Sequence, residues 1–298
     1  MSIKCFYHAG DLDGWCSGAI VRHFYNKQNI EVEMFPINYG DKFPFGSLSV
    51  VDIVYMADFS LPVEQMRRID QFVQKFYWFD HHIGAIKIYD VEKYLFILGE
   101  RDINFSGCEL VWKGLYPNIE IPRFIKLLGL YDCWDHSEEI ESWNNIENFQ
   151  YGFKLNATDP GEDFAFWENW ISTFLDPAIG SHVRNEFIFN KMSDGRVIRQ
   201  YIESRYETIL KNHSFIKEWE SYKCLMVNSD PYIANYMTRS TPFAGCDIAV
   251  NFTNWKGQKW VVSLRTTRAD IDLSVLAKKY GGGGHSQASG FNRKELPF

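Results

Sequence analysis

Two sets of residues in this chain have types and spacings that could do chemistry. The first is spread over the N-terminal half. HAGDLDG carries His8, Asp11 and Asp13, ADFSL carries Asp58, and FDHHIG carries Asp80, His81 and His82. LLGLYDCWDH adds Asp132, with Asp135 and His136 close by. A single aspartate ahead of a helix is usually a cap that meets the helix dipole. Two adjacent histidines are harder to explain by packing, because both imidazoles need partners when buried. Oxygen and imidazole donors without thiolates suit Mn²⁺ or Mg²⁺ better than structural zinc. Several carboxylates around one point repel one another unless cations lie between them. A two-metal site is the simplest resolution.

The second set is GGGGHSQASGF, Gly281–Phe291. Four glycines in a row are costly to order, so they need a reason. Bare backbone N–H groups of Gly282, Gly283 and Gly284 could form a nest for phosphate oxygens. His285 could donate to the same group, and Arg265 could pair with it bidentately. Arg268 is a weaker candidate of the same kind.

Those residues need elements to position them. Ser2–Ala9, Ile30–Ile37, Val50–Ala57 and Phe76–Phe79 read as strands. Gly14–Gln28 and the stretch around LPVEQMRRIDQFVQK read as helices, the latter with Pro62 in its first turn. Ser106 and Glu109 have capping-box spacing ahead of another helix. Strands alternating with helices predict an α/β fold whose N-terminal, mostly parallel sheet is flanked by helices. Ligands in such sheets bind beyond the carboxyl ends of the strands, and the candidate acids and imidazoles fall at three such exits. From Pro122 to Phe215 the pattern is mainly helical, and Asp194–His213 reads as a long helix bridging two domains. Lys223–Asn228 starts a smaller C-terminal α/β domain. It holds a hairpin around NWKGQ and a short helix, Asp272–Tyr280, which runs into the glycines. The expected division is 1–190 for the metal-binding domain, 191–222 for a helical linker and 223–298 for the substrate-binding domain.

Composition narrows the class. The chain has 298 residues, 46% apolar and 23% charged, which excludes a disordered polymer. Net charge is −7, but from Cys224 onward nine Lys/Arg face five Asp/Glu. An acidic body suits cations, and a basic terminal region suits an anionic substrate. The six cysteines show no CxxC, which fits a reduced, cytoplasmic chain. No signal peptide is visible, and no apolar run approaches the length of a membrane span, so no membrane partner is expected.

Asp80-His81-His82 resembles the signature of the DHH phosphoesterases. DLDG (Asp11–Gly14) is similar to their first motif, Asp58 to their second and Asp132 to their fourth. GGGGHSQASGF, with VSLRTTRADIDLSVLAKKY before it, resembles the associated DHHA1 domain. His8 stands three residues before Asp11, whereas the family commonly uses a spacing of two or four. In layout the chain is most similar to the nanoRNase-type oligoribonucleases. The resemblance implies a metal-dependent phosphodiesterase that cuts short oligonucleotides to mononucleotides through a two-metal-activated water. One Mn²⁺ (or Mg²⁺) would use His8, Asp11 and Asp58, and a second Asp13, Asp58, His81 and Asp132. His82 would touch the phosphoryl oxygens, Asp80 would be structural, and Arg265, Gly282–Gly284 and His285 would hold the substrate. The absence of an extended basic stripe favours short RNA or DNA, or small nucleotides, over long polyanions. A cyclic-dinucleotide phosphodiesterase and a pAp (3′-phosphoadenosine 5′-phosphate) phosphatase are the rival enzymes. A non-catalytic nucleotide-binding protein is the rival outside catalysis. The oligomeric state is open, a homodimer included.

Overall fold

Strand, helix and strand recur from the first residues of the computed structural model, which describes residues 2–91, 97–137 and 139–298. β1 (Ile3–His8), β2 (Val32–Ile37), β3 (Ile53–Ala57) and β4 (Lys75–Phe79) form one sheet in the order β2-β1-β3-β4, with every neighbouring pair parallel. The order reverses between β1 and β3, the switch point where such sheets open a crevice at their carboxyl ends. Side chains alternate across the sheet. Ile3, Cys5, Tyr7, Tyr55 and Phe79 pack on one face with α1 (Leu12–Asn26) and, further along the chain, α4 (Gly107–Leu115). Phe6, Val54, Met56, Phe76 and Trp78 pack on the other face with α2 (Val63–Phe72). α3 (Ile83–Val91) follows β4 directly.

Helix and strand ends depart from the sequence expectation where polar groups intervene. β3 starts at Ile53 rather than Val50, because Asp52 accepts from Ser2 Oγ at 2.6 Å and from the Ser49 amide at 2.7 Å, leaving Val50 and Val51 exposed. α1 starts at Leu12, with Asp11 capping it through the Gly14 amide at 2.9 Å. Pro62 caps α2 instead of lying in its first turn. Glu109 Oε2 accepts the Ser106 amide at 3.1 Å, the back-bond of a capping box.

α5 (Arg123–Asp132), α6 (Trp143–Lys154) and α7 (Ala165–Leu175) bury Phe124, Phe149, Phe153, Trp167 and Trp170 in one cluster. Much of the high aromatic content is therefore core. α8 runs from Ser181, well before Asp194, to His213.

The chain divides into two compact units, Met1–Arg199 and Gln200–Phe298. The second contains a mixed sheet of β5 (Phe215–Trp219), β6 (Tyr222–Asn228), β7 (Ile248–Trp255), β8 (Lys259–Arg265), β9 (Gly283–Gly284) and β10 (Ala288–Arg293). β7 and β8 are the expected hairpin, turned through Lys256 and Gly257 at positive φ. α9 (Ala234–Met237) and α10 (Leu273–Lys279) complete the unit. Among the described residues no helix is long and apolar enough to cross a membrane.

Candidate metal centre

The exits of β1, β3 and β4 bring His8, Asp58 and the Asp80–His82 segment to one rim of the first sheet. α1 adds Asp11 and Asp13 at its start, and α5 adds Asp132 at its end. Three groups have ligand atoms within 4.8 Å of one another: His8–Asp11–Asp58, Asp13–His81–Asp132 and Asp58–His81–His82. Asp58 and His81 are each shared by two of them. His8 reaches the cluster despite its unusual spacing, with Nδ1 3.1 Å from Asp11 Oδ2 and 3.6 Å from Asp58 Oδ2. His81 Nε2 lies 3.3 Å from Asp58 Oδ1 and 3.1 Å from Asp132 Oδ2.

Asp58 and Asp13 form the buried floor. Asp58 adopts φ 54°, a left-handed conformation that costs a non-glycine residue about 1–2 kcal/mol. Its amide donates to Phe79 O at 2.8 Å, which ties the two strand exits together. Asp13 accepts from the amides of Gly107 and Cys108 at 2.7 and 2.8 Å. It therefore caps α4 rather than its own helix, and the positive end of that helix dipole faces the centre. The sequence reading did not single out Gly107. A Cβ there would lie 2.8 Å from Asp58 Cγ and Oδ1, so only glycine lets α4 approach the floor.

Burial opposes charge on His8, but the neighbouring carboxylates of Asp11 and Asp58 override it and push the imidazole pKa up to about 10. Burial also opposes charge on His81, and Asp132 and Asp58 again override it, raising that pKa strongly. Burial raises the Asp58 carboxyl, but His8 and His81 more than offset this and hold it below its usual range. Burial and neighbouring carboxylates raise Asp13 and Asp132. Protons thus stand in for cations at a cluster too acidic to be stable without either.

The donor set fits divalent cations. His8 Nδ1, Asp58 Oδ1 and His81 Nε2 are buried and lie close to oppositely charged neighbours, yet none has a hydrogen-bond partner in proper alignment. Each of these residues instead offers a ligand atom within 4.8 Å of those of its group. Imidazole nitrogen with carboxylate oxygen matches Mn²⁺ or Mg²⁺.

Asp80 is fully buried and accepts from His82 Nδ1 at 2.6 Å and from Trp78 Nε1 at 3.2 Å. This bond puts the His82 proton on Nδ1 and fixes the ring, as supporting carboxylates do around metal sites. His136 stacks on Trp143, with ring centroids 3.8 Å apart, and belongs to none of the three groups.

In the second unit the glycines have structural duties of their own. The Gly281 amide bonds Lys278 O at 3.1 Å and the Gly282 amide bonds Ala277 O at 3.0 Å, a Schellman cap that ends α10. Those two amides have partners within the fold, which leaves the Gly283 and Gly284 amides as the other members of the expected nest. A Cβ on Gly282 would lie 2.5 Å from Phe291 Cβ, and one on Gly284 would lie 2.6 Å from Ala288 O. Gly283 is different, since a Cβ there would meet nothing within 4 Å. His285 is exposed, and its amide bonds Ala288 O at 2.8 Å. Arg265 Nε donates to Asn235 Oδ1 at 3.0 Å, whereas Arg268 pairs with Asp270 at 2.5 Å and with Asp247.

No family model matches the chain. It is 25% identical over 311 aligned positions to an uncharacterised protein, R106, of Acanthamoeba polyphaga mimivirus, covering 95% of this chain and 66% of that protein. It is 22% identical over 262 positions to the oligoribonuclease NrnB of Bacillus subtilis, covering 80% of this chain and 59% of NrnB. The chain thus spans less than two thirds of the length of these curated relatives. Among solved structures, the DHH domain of a member of the S1p family of ribosomal proteins matches with a TM-score of 0.57 at 14% identity, over 98% of this chain and 82% of that one. The pGpG-specific phosphodiesterase PggH of Vibrio cholerae matches with a TM-score of 0.51 at 14% identity, over 98% and 93%. The chain therefore has the DHH-domain fold, with its acid and imidazole motifs in order along it.

Proposed function

We propose that the protein is a metal-dependent phosphodiesterase that hydrolyses short oligonucleotides to mononucleotides. The observation that carries this is the convergence of three ligand groups on the shared Asp58 and His81. Two cations would be held by His8, Asp11 and Asp58, and by Asp13, Asp58, His81 and Asp132. When bound they supply Lewis acidity and charge neutralisation at a phosphoryl group. The chain's own part is to fix the ligands: α4 amides lock Asp13, strand hydrogen bonds lock Asp58, and Asp80 aims His82. With Nδ1 committed to Asp80, His82 presents Nε2 to a phosphoryl oxygen. Burial opposes its charge, but Asp80 raises its pKa and favours the donating, protonated form. Arg265, Gly283 and His285 would hold the nucleotide.

Two relatives support a nucleotidyl substrate, one described as an oligoribonuclease and the other as a pGpG-specific phosphodiesterase. The test is time-resolved product analysis with Mn²⁺, offering RNA and DNA 2- to 10-mers, cyclic dinucleotides and pAp. Dinucleotide cleavage that is lost in Asp58→Asn and His81→Ala is the expected result. Preferential turnover of pAp or a cyclic dinucleotide would replace the substrate assignment. No turnover of any of them, with intact metal binding, would replace the enzyme by a nucleotide-binding protein.

A further inference from the structure

Beyond the β2 exit, Tyr39 stands beside the metal centre in a way that its packing alone does not explain. Its ring centroid lies 5.7 Å from His8, 5.9 Å from His82 and 4.7 Å from the buried Phe59. The planes cross at 39° with Phe59, 61° with His8 and 75° with His82, so Tyr39 packs against all three rings. The ring is therefore held along one side by Phe59, yet the residue is 54% exposed. An aromatic side chain kept rigid and open to water forgoes burial that would stabilise the fold. It is instead a ready surface for another planar ring, at low entropic cost. The two imidazoles it touches belong to the groups that would flank a bound phosphate.

We infer that Tyr39 is a stacking platform for the nucleobase attached to the phosphate at the metal centre, and so sets a preference for nucleotides over other phosphate esters. This rests on the proposed function for the identity of the phosphate site, but stacking itself is read by binding and does not require turnover. Base–aromatic stacking tolerates any base, so the platform would discriminate base from no base rather than one base from another.

The test measures binding of adenosine 5′-monophosphate and ribose 5-phosphate to the Mn²⁺-loaded protein by titration calorimetry. The variants are Tyr39→Ala, Tyr39→Phe and Tyr39→Trp. The wild type should prefer adenosine 5′-monophosphate about ten- to hundred-fold, as stacking on one ring supplies. Tyr39→Ala should abolish that preference with little change for ribose 5-phosphate, while Tyr39→Phe and Tyr39→Trp should keep it. Equal binding of the two ligands by the wild type would overturn the inference. So would a Tyr39→Ala loss of equal size for both, since that would place the effect on His8 and His82. Dinucleotide hydrolysis is assayed separately. Its absence in wild type, with the base preference intact, would sink the phosphodiesterase reading and leave the stacking platform standing.

Discussion

Replacing Gly107 by alanine tests whether the centre depends on how closely α4 approaches it. The added methyl would press hardest on Asp58 Cβ and lie 2.8 Å from its Cγ and Oδ1. Ordinary carbon contacts are about 3.5–4.0 Å, so one side must move by at least about 1 Å. The intruding atom faces a side chain carried on a strained backbone whose amide is hydrogen-bonded to the end of β4, so its Cβ cannot move aside freely. Overpacking of this kind costs about 1–3 kcal/mol, and alanine's reduced freedom in the unfolded chain offsets about 0.4–1 of it. The net loss is about 1–2 kcal/mol, or about 2–8 °C in Tm for a unit of this size. A carboxylate moved by about 1 Å exceeds the ~0.2 Å tolerance of metal–ligand bonds. Mn²⁺ affinity should therefore fall by about ten-fold or more. Differential scanning calorimetry with chelator and with Mn²⁺, beside a Mn²⁺ titration, reads both quantities. If Tm and Mn²⁺ affinity both match wild type, the close approach of α4 has no bearing on the site.

The remaining predictions concern other parts of the molecule. His23 is fully buried between Tyr116 Oη at 2.8 Å and Ser172 Oγ at 3.3 Å, and burial lowers its pKa to about 4. Below about pH 6.5 the unfolded chain takes up a proton that the folded one refuses. Stability should thus fall from pH 6.5 toward 4, by about 2–3 kcal/mol more than in His23→Gln; parallel urea-midpoint profiles for the two proteins would contradict this. Gly282→Ala should destabilise the protein by about 1–3 kcal/mol through its clash with the Gly290 carbonyl and Phe291. Gly283→Ala should keep wild-type Tm while raising KM for dinucleotides, and an unchanged KM would remove that position from the substrate site. Arg265→Ala should raise KM for dinucleotides far more than for a small nitrophenyl phosphodiester, and equal effects on both would show that it does not contact the nucleotide.

Much of the centre was legible because its residues sit at strand exits, where a period-two apolar run ends in a polar side chain. His8, Asp58 and His81 could be placed on one rim from that pattern alone. What sequence could not show was how elements distant along the chain meet. Gly107 was invisible as a site residue because its meaning lies in its distance from Asp58, a contact between α4 and the end of β3. Asp13 looked like a cap for the helix that follows it, but it caps one that starts about ninety residues later. Tyr39 carried no motif, since an exposed tyrosine in a loop has no periodicity to mark it. The glycine run carries two demands that sequence alone does not separate. A Schellman cap and an anion nest both ask for glycine, and only the hydrogen-bond partners of Gly281 and Gly282 separate them. The β3 start was misplaced because Val50 and Val51 look like strand residues, whereas the bonds to Asp52 hold the chain in a turn.

Asp13 clasped by the first amides of α4 has a consequence for how the centre would take up cations. That carboxylate is set in place by the hydrogen bonds that start a helix, so folding positions it before any cation arrives. Loading should then resemble filling a rigid socket: histidine protons leave, cations enter, and the heat capacity and circular dichroism of the protein hardly change.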